Sequence, residues 1–295
     1  MQRNSHSMRL TVKNDYAFKL VFAGTDSKDI LIDLLERLLE QEIVDLEYLS
    51  GELRKEYSRD KYGVLDIKVK LSTGELVNIE IQLQWLSEMP ERSFYYLSKM
   101  YHGSIREGES YSLIPRCITI NIVERHFTLN ELFISRYRML EETTYEAMFD
   151  KADVYFVNLA KLVHGDYGDT DEGLIQWFKF INSEDEEERK MLAETSMAIT
   201  KANAILEKIP MNPAQREEYL SREKAIRDKA MYEENRDRRI AEALEEGIKK
   251  GRAEGIETGR AEGILVVAAK MKAAGISVEE IMHITQLDRD VIASL

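Results

Sequence analysis

Two acidic residues, Asp66 and Glu80, stand with thirteen residues between them in a stretch that alternates between polar and apolar side chains. From Val64 to Leu71 the alternation puts Val64, Asp66, Lys68 and Lys70 on one face and Leu65, Ile67, Val69 and Leu71 on the other. From Leu76 to Leu83 it returns, with Leu76, Asn78, Glu80 and Gln82 against Val77, Ile79, Ile81 and Leu83. Ser72, Thr73 and Gly74 between them make a three-residue hairpin loop with glycine at its left-handed position. That loop sets Lys70 opposite Leu76, Lys68 opposite Asn78 and Asp66 opposite Glu80. Directly opposed side chains have Cβ atoms about 4.5–5.5 Å apart, and two like charges there destabilise a sheet. A hard divalent cation such as Mg²⁺ turns that repulsion into shared coordination. Gln82 projects to the same face, where its carbonyl can reach an ion or its amide can orient a water. The plainer alternative is a wet face of a half-buried hairpin, and alternation by itself favours it.

The elements that must hold this hairpin read as a mixed α/β core. Leu10 to Leu39 has helical spacing, with Phe18, Val21 and Phe22 and then Ile30, Leu31, Leu34, Leu35 and Leu38, broken around Gly24 to Asp29. Strands are expected at Asp45 to Leu49, Cys117 to Val123 and Val154 to Leu159, with a helix from Arg92 to Arg106. From Leu174 onward strands give way to charged helices, whose charge runs read as solvated faces. Gly247, Gly251, Gly255, Gly259 and Gly263 recur every fourth residue, and Gly251-Arg-Ala-Glu-Gly255-Ile repeats as Gly259-Arg-Ala-Glu-Gly263-Ile. Each glycine costs about 1 kcal/mol against alanine in a helix interior, so either close helix–helix approach compensates or the segment is a polar linker. Ser277 and Glu280 form a capping box before a short helix over 277–284.

Composition narrows the function classes. The net charge of −13 argues against a generic polyanion binder, because phosphate affinity comes mainly from Lys and Arg. A local basic surface or a bound cation must offset it. One cysteine, Cys117, permits no internal disulfide, and no apolar run has the length of a signal peptide or membrane span, so a cytoplasmic protein without a membrane role is expected. The five histidines show no metal-ligand spacing.

Asp66, thirteen residues and Glu80-Ile-Gln82 resemble the D…(D/E)-x-K core of PD-(D/E)XK nucleases, with glutamine at the lysine position. Lys13-Asn14-Asp15-Tyr16-Ala17-Phe18-Lys19-Leu20-Val21-Phe22, Leu65-Asp66-Ile67, Gly74 to Gln82, Arg92 to Tyr101 and Gly108-Glu109-Ser110-Tyr111 before Pro115 extend the likeness. Together they resemble the recombination-promoting nuclease (Rpn) family, also called PD-(D/E)XK nuclease family transposases, over the first two-thirds of the chain. The resemblance implies a restriction-endonuclease-like mixed sheet flanked by helices, with a C-terminal helical extension. It implies a Mg²⁺-dependent DNA endonuclease, with Mn²⁺ as an alternative ion and Asp66 and Glu80 as metal ligands. Gln82 leaves the identity of the charge-stabilising group open, and Lys68 is one substitute. Asp15 matches the family's amino-terminal motif, where it either adds a carboxylate or caps the first helix. Arg92 and the cluster Arg54, Lys55, Arg59 and Lys61 are candidates for contacting DNA, although Glu52, Glu56 and Asp60 intersperse the cluster.

The expected organisation is a nuclease-like core over 1–173, a charged helical region over 174–239, a glycine-repeat helix or linker over 240–264 and a small helical tail over 265–295. The competing function is a nuclease-derived interaction protein with little or no cleavage, acting as a homo-oligomer through its glycine-repeat tail.

Overall fold

The structure, a computed structural model, describes residues 8–50, 66–83, 88–124, 132–163 and 167–295. Val64 and Leu65 of the expected hairpin strand, and the basic cluster that includes Lys61, lie outside the described residues.

Asn14 starts the first helix, α1 (Asp15–Ala23): its backbone is extended and its Oδ1 accepts the N–H groups of Tyr16 and Ala17. Ala17, Phe18, Val21 and Phe22 form its buried stripe, and α2 (Lys28–Leu39) buries Ile30, Leu31, Leu34, Leu35 and Leu38 against the same core. The strands β1 (Leu46–Leu49), β2 (Ile67–Leu71) and β3 (Leu76–Gln82) form an antiparallel meander. The β2–β3 register is the expected one, with Lys68 against Asn78 and Lys70 against Leu76, and Gly74 turns the hairpin at φ +100°.

After β3 the chain crosses through α3 (Met89–His102) to β4 (Cys117–Val123), which lies parallel to β3. β5 (Ile134–Tyr137), which the sequence pattern did not suggest, forms the far edge, antiparallel to β6 (Ala152–Asn158). The sheet order is β1-β2-β3-β4-β6-β5. One face carries Ile67, Val69, Val77, Ile79, Ile118, Ile120, Ile122 and Val157 into the main core. The other lies under α3, where Leu97 and Met100 pack on Cys117.

This second layer corrects the expectation of a half-buried hairpin. In β3 every residue from Val77 to Ile81 is buried, so the face that carries Asn78 and Glu80 is roofed by a helix and is not wet.

The expected boundary after residue 173 is also not where the packing divides. α4 (Glu172–Asn182), α5 (Glu186–Ala193), α6 (Met197–Lys208) and the start of α7 (Pro213–Ala273) place Trp177, Phe178, Phe180, Ile181, Ile199, Leu206 and Tyr219 in the main core. The first compact unit runs to Lys224, and the second is Ala225–Leu295. In the second unit Ala268 of α7 packs with Ile281 of α8 (Val278–Thr285) and Ile292 of α9 (Arg289–Ser294). Ser277 caps α8 by accepting the Glu280 N–H and donates its own hydroxyl to the Glu280 carboxylate. The glycine repeat lies within α7 as helix, and a side chain added at any of its five glycines would meet nothing within 4 Å.

Candidate active site

β2 begins one residue after Asp66, and the side chain does what the strand does not reach back to do. Asp66 Oδ2 accepts the backbone N–H of Ile81 at 3.2 Å, standing in for the next rung of the ladder. Its other oxygen, Oδ1, lies 3.2 Å from Nζ of Lys19, which reaches it from α1. Asp66 is partly exposed, at the edge of the buried layer.

Glu80, by contrast, is 3% exposed in the middle of β3. Its neighbours compensate its charge weakly: Arg92 Nη2 of α3 is 3.6 Å from Oε2, and the Asn78 amide donates to Oε1 over a long 3.4 Å. Burial pushes the Glu80 carboxyl up to about 7; Arg92 pulls it down, nearby Asp66 pushes it further up, and Asn78 and Lys19 pull it down by less.

The surrounding layer is polar where a packing role alone would make it apolar, because strands buried on both faces usually read as continuous hydrophobic runs. β4 alternates Thr119 and Asn121 toward α3 with isoleucines toward the main core, and register places Thr119 beside Asn78 and Asn121 beside Glu80. Ser93 of α3 donates to Asn121 Oδ1, and Asn121 Nδ2 donates to the Tyr155 carbonyl, which fixes the amide. Among the described residues, Asn78 Oδ1, Thr119 Oγ1 and Arg92 Nε are buried without a hydrogen-bond partner. Such polar groups are rare in a packed interior, and they cluster around Glu80.

The residues expected at this site are not all brought together. Gln82 ends β3 on the same face as Glu80. Arg92, expected to face DNA, turns its guanidinium toward Glu80 and stacks 5.2 Å over the Tyr96 ring. Lys68 pairs with Asn78, is partly buried, and has its pKa lowered by burial, with the Cys117 side chain as its electrostatic neighbour. Asp15 faces Arg222 across 4.0 Å, and the cap of α1 is Asn14. Among the described residues no three His, Cys, Asp or Glu side chains group as a ready-made metal cage. A cavity of about 810 Å³ beside Arg37, Arg136, Tyr155 and Asp171 includes none of the site residues.

Sequence reasoning missed Lys19, Ser93, Thr119 and Asn121 as members of this constellation. The alternation Thr119-Ile120-Asn121-Ile122 in a strand expected to be central was the available signal for the last two. Nothing local in the sequence pairs Lys19 with Asp66.

A mixed sheet flanked by helices, with two carboxylates at the end of its central hairpin, defines a restriction-endonuclease-like α/β protein. The chain belongs to the PD-(D/E)XK nuclease family transposases, whose model matches residues 12–235. No curated protein and no solved structure matches significantly. The match runs through α6 and into α7, in keeping with a first compact unit that extends beyond residue 173. No helix of the described residues is long and apolar enough to cross a membrane.

Proposed function

We propose that the protein is a divalent-metal-dependent DNA endonuclease of the recombination- or transposition-related kind, with Asp66 and Glu80 as the ligands of Mg²⁺ or Mn²⁺. The observation that carries this reading is Glu80: a carboxylate buried in the sheet, beside a second carboxylate, with its charge only partly neutralised. Hard oxygen donors fit a hard cation, and Mg²⁺ typically takes one or two carboxylates and fills its shell with waters and substrate phosphates. Asn78 Oδ1, without a hydrogen-bond partner among the described residues, is a further oxygen in the same layer. When bound, the cation supplies Lewis-acid polarisation of the phosphate and a more acidic water.

The chain's own residues do the positioning. The Ile81 N–H holds one oxygen of Asp66, so the carboxylate can turn only its other oxygen to the site. Arg92 and Asn78 flank the two oxygens of Glu80 at 3.6 and 3.4 Å, while Ser93 fixes the Asn121 amide on the neighbouring strand. Lys19 and Arg92 provide positive charge at this edge of a protein with net charge −13, where a polyanion must approach.

The test is plasmid cleavage with Mg²⁺, Mn²⁺ or EDTA by the wild type, Asp66→Ala and Glu80→Ala. Metal-dependent nicking that falls at least about 100-fold in both variants is the expected result. Nicking that persists unchanged in both removes the carboxylates from the mechanism.

A second reading, self-association through the second unit, is favoured by the exposed Ile240, Leu244, Ile248 and Ile256 of α7. It is compatible with cleavage, and it accounts for the tail if cleavage is absent.

A further inference from the structure

The hairpin provides no lysine aimed at its two acids. Gln82 follows Glu80 on β3, and Lys68 sits in register with Asn78, half-buried toward Cys117. A lysine arrives instead from a different element. Lys19 lies one turn into α1, whose opposite stripe of Ala17, Phe18, Val21 and Phe22 is locked in the core. Asn14 caps that helix and also donates its Nδ2 to the Tyr219 carbonyl at 3.2 Å, so the helix start is held at two points. From this fixed base Lys19 places Nζ 3.2 Å from Asp66 Oδ1 with its side chain 42% exposed, on the open side of the site. Arg92 is less free to serve, because its guanidinium lies between Glu80 and the Tyr96 ring.

We propose that Lys19 is a catalytic residue of the cleavage step, its ammonium passing from Asp66 to a non-bridging oxygen of the scissile phosphate once a divalent cation takes the carboxylate. The inference rests on the nuclease reading of this site. A partly exposed ion pair is weak, and a divalent charge on Asp66 both displaces and repels the ammonium. The flexible four-carbon stem of lysine lets the charge move to a new anion while the helix stays in place.

In the step itself a water oxygen forms a new bond to phosphorus and the P–O bond to the leaving ester oxygen breaks. One proton of the attacking water passes to a neighbouring water, and the leaving oxygen takes a proton from solvent, giving a phosphomonoester and an alcohol. Lys19 neither gains nor loses a proton; its charge balances the negative charge that builds on the phosphate oxygens.

Two consequences separate this role from a structural one. Removing Lys19 should slow cleavage, and it should leave metal affinity unchanged or tighter, because a competing cation has gone. The experiment uses the full-length protein as wild type, Lys19→Met, Lys19→Arg and Lys68→Met, with plasmid cleavage, calorimetric titration of Mn²⁺ and thermal melting read on each. Expected are a loss of about 100-fold or more in cleavage by Lys19→Met, a Mn²⁺ Kd equal to or below that of the wild type, and partial recovery in Lys19→Arg. Lys19→Met that cleaves like the wild type overturns the proposal, as does a loss that follows Lys68→Met instead. Parallel loss of Mn²⁺ binding and melting temperature in Lys19→Met also overturns it, since Lys19 would then only hold the site together. A wild type that fails to cut with either Mg²⁺ or Mn²⁺ defeats the nuclease reading and the inference with it; a wild type that cuts, but no better than Lys19→Met, defeats the inference alone.

Discussion

Glu80 sits where burial favours the neutral carboxyl, and the cost of ionising it there depends on pH in a definite direction. Unfolded, its carboxyl titrates near the ordinary 4.5; folded, near 7. Between those values the folded protein keeps a proton that the unfolded chain gives up, so stability declines as pH rises from about 4.5 to about 7 and stays low above it. The full penalty is on the order of 3 kcal/mol. Glu80→Gln in EDTA should therefore raise the urea midpoint at pH 8 and match the wild type below pH 4.5. Equal midpoints at pH 8 would show that the burial cost has been relieved by some other partner. At this scale the sequence made part of the site legible. Alternation and a three-residue loop gave the register that aligns Asp66 with Glu80. The cations beside them, Lys19 and Arg92, come from helices whose docking no local pattern encodes. Lys68 was a natural substitute by proximity along the strand, but being near in sequence did not turn its side chain to Asp66.

The helices and strands repeat that lesson at larger size. Asn14→Ala removes a cap that satisfies two orphan N–H groups of α1 and a donor to the Tyr219 carbonyl, a change expected to cost about 1–2 kcal/mol. Because α1 carries Lys19, cleavage should weaken in the same variant while β2–β3 stays paired. A melting temperature unchanged from the wild type would mean that α1 is held by its apolar stripe alone. Elements with strong local signals were readable. β4 has the expected bounds, α1 and α2 break where Gly24 and the residues after it interrupt the period, and α8 starts at its Ser277 cap. The edge strand β5 runs Ile-Ser-Arg-Tyr, and its two adjacent polar residues left no apolar alternation to read. α3 begins at Met89, with Pro90 in its first turn, earlier than aromatic spacing suggested. The charged text of the α4–α6 region hid a buried side: Trp177, Phe178, Phe180 and Ile181 lie in the core, and even Arg189 of α5 is buried, donating to the Leu10 carbonyl.

Across the whole molecule, the main core on one face of the sheet depends on those later helices as well as on α1 and α2. A chain ending after residue 173 removes Trp177, Phe178, Phe180, Ile199, Leu206 and Tyr219 from the main core and should fail to show a cooperative melt; one ending after Lys224 should keep it. Cooperative melting of the shorter chain would restore the boundary that charge composition suggested. Light scattering on the longer one tests the tail as well, since a self-associating second unit predicts a loss of oligomer on truncation. Charge density misplaced the boundary because it records what faces water, whereas domain limits follow what is buried. The glycine repeat has a geometric consequence for any such assembly. A residue in an α-helix turns about 100°, so every fourth position advances about 40° beyond a full turn. From Gly247 to Gly263 the glycines therefore circle about 160° around the axis instead of lining one side. A straight neighbouring helix can touch only two or three of them. A partner that follows them all must wind with the helix in a right-handed sense, opposite to the hand of a heptad coiled coil.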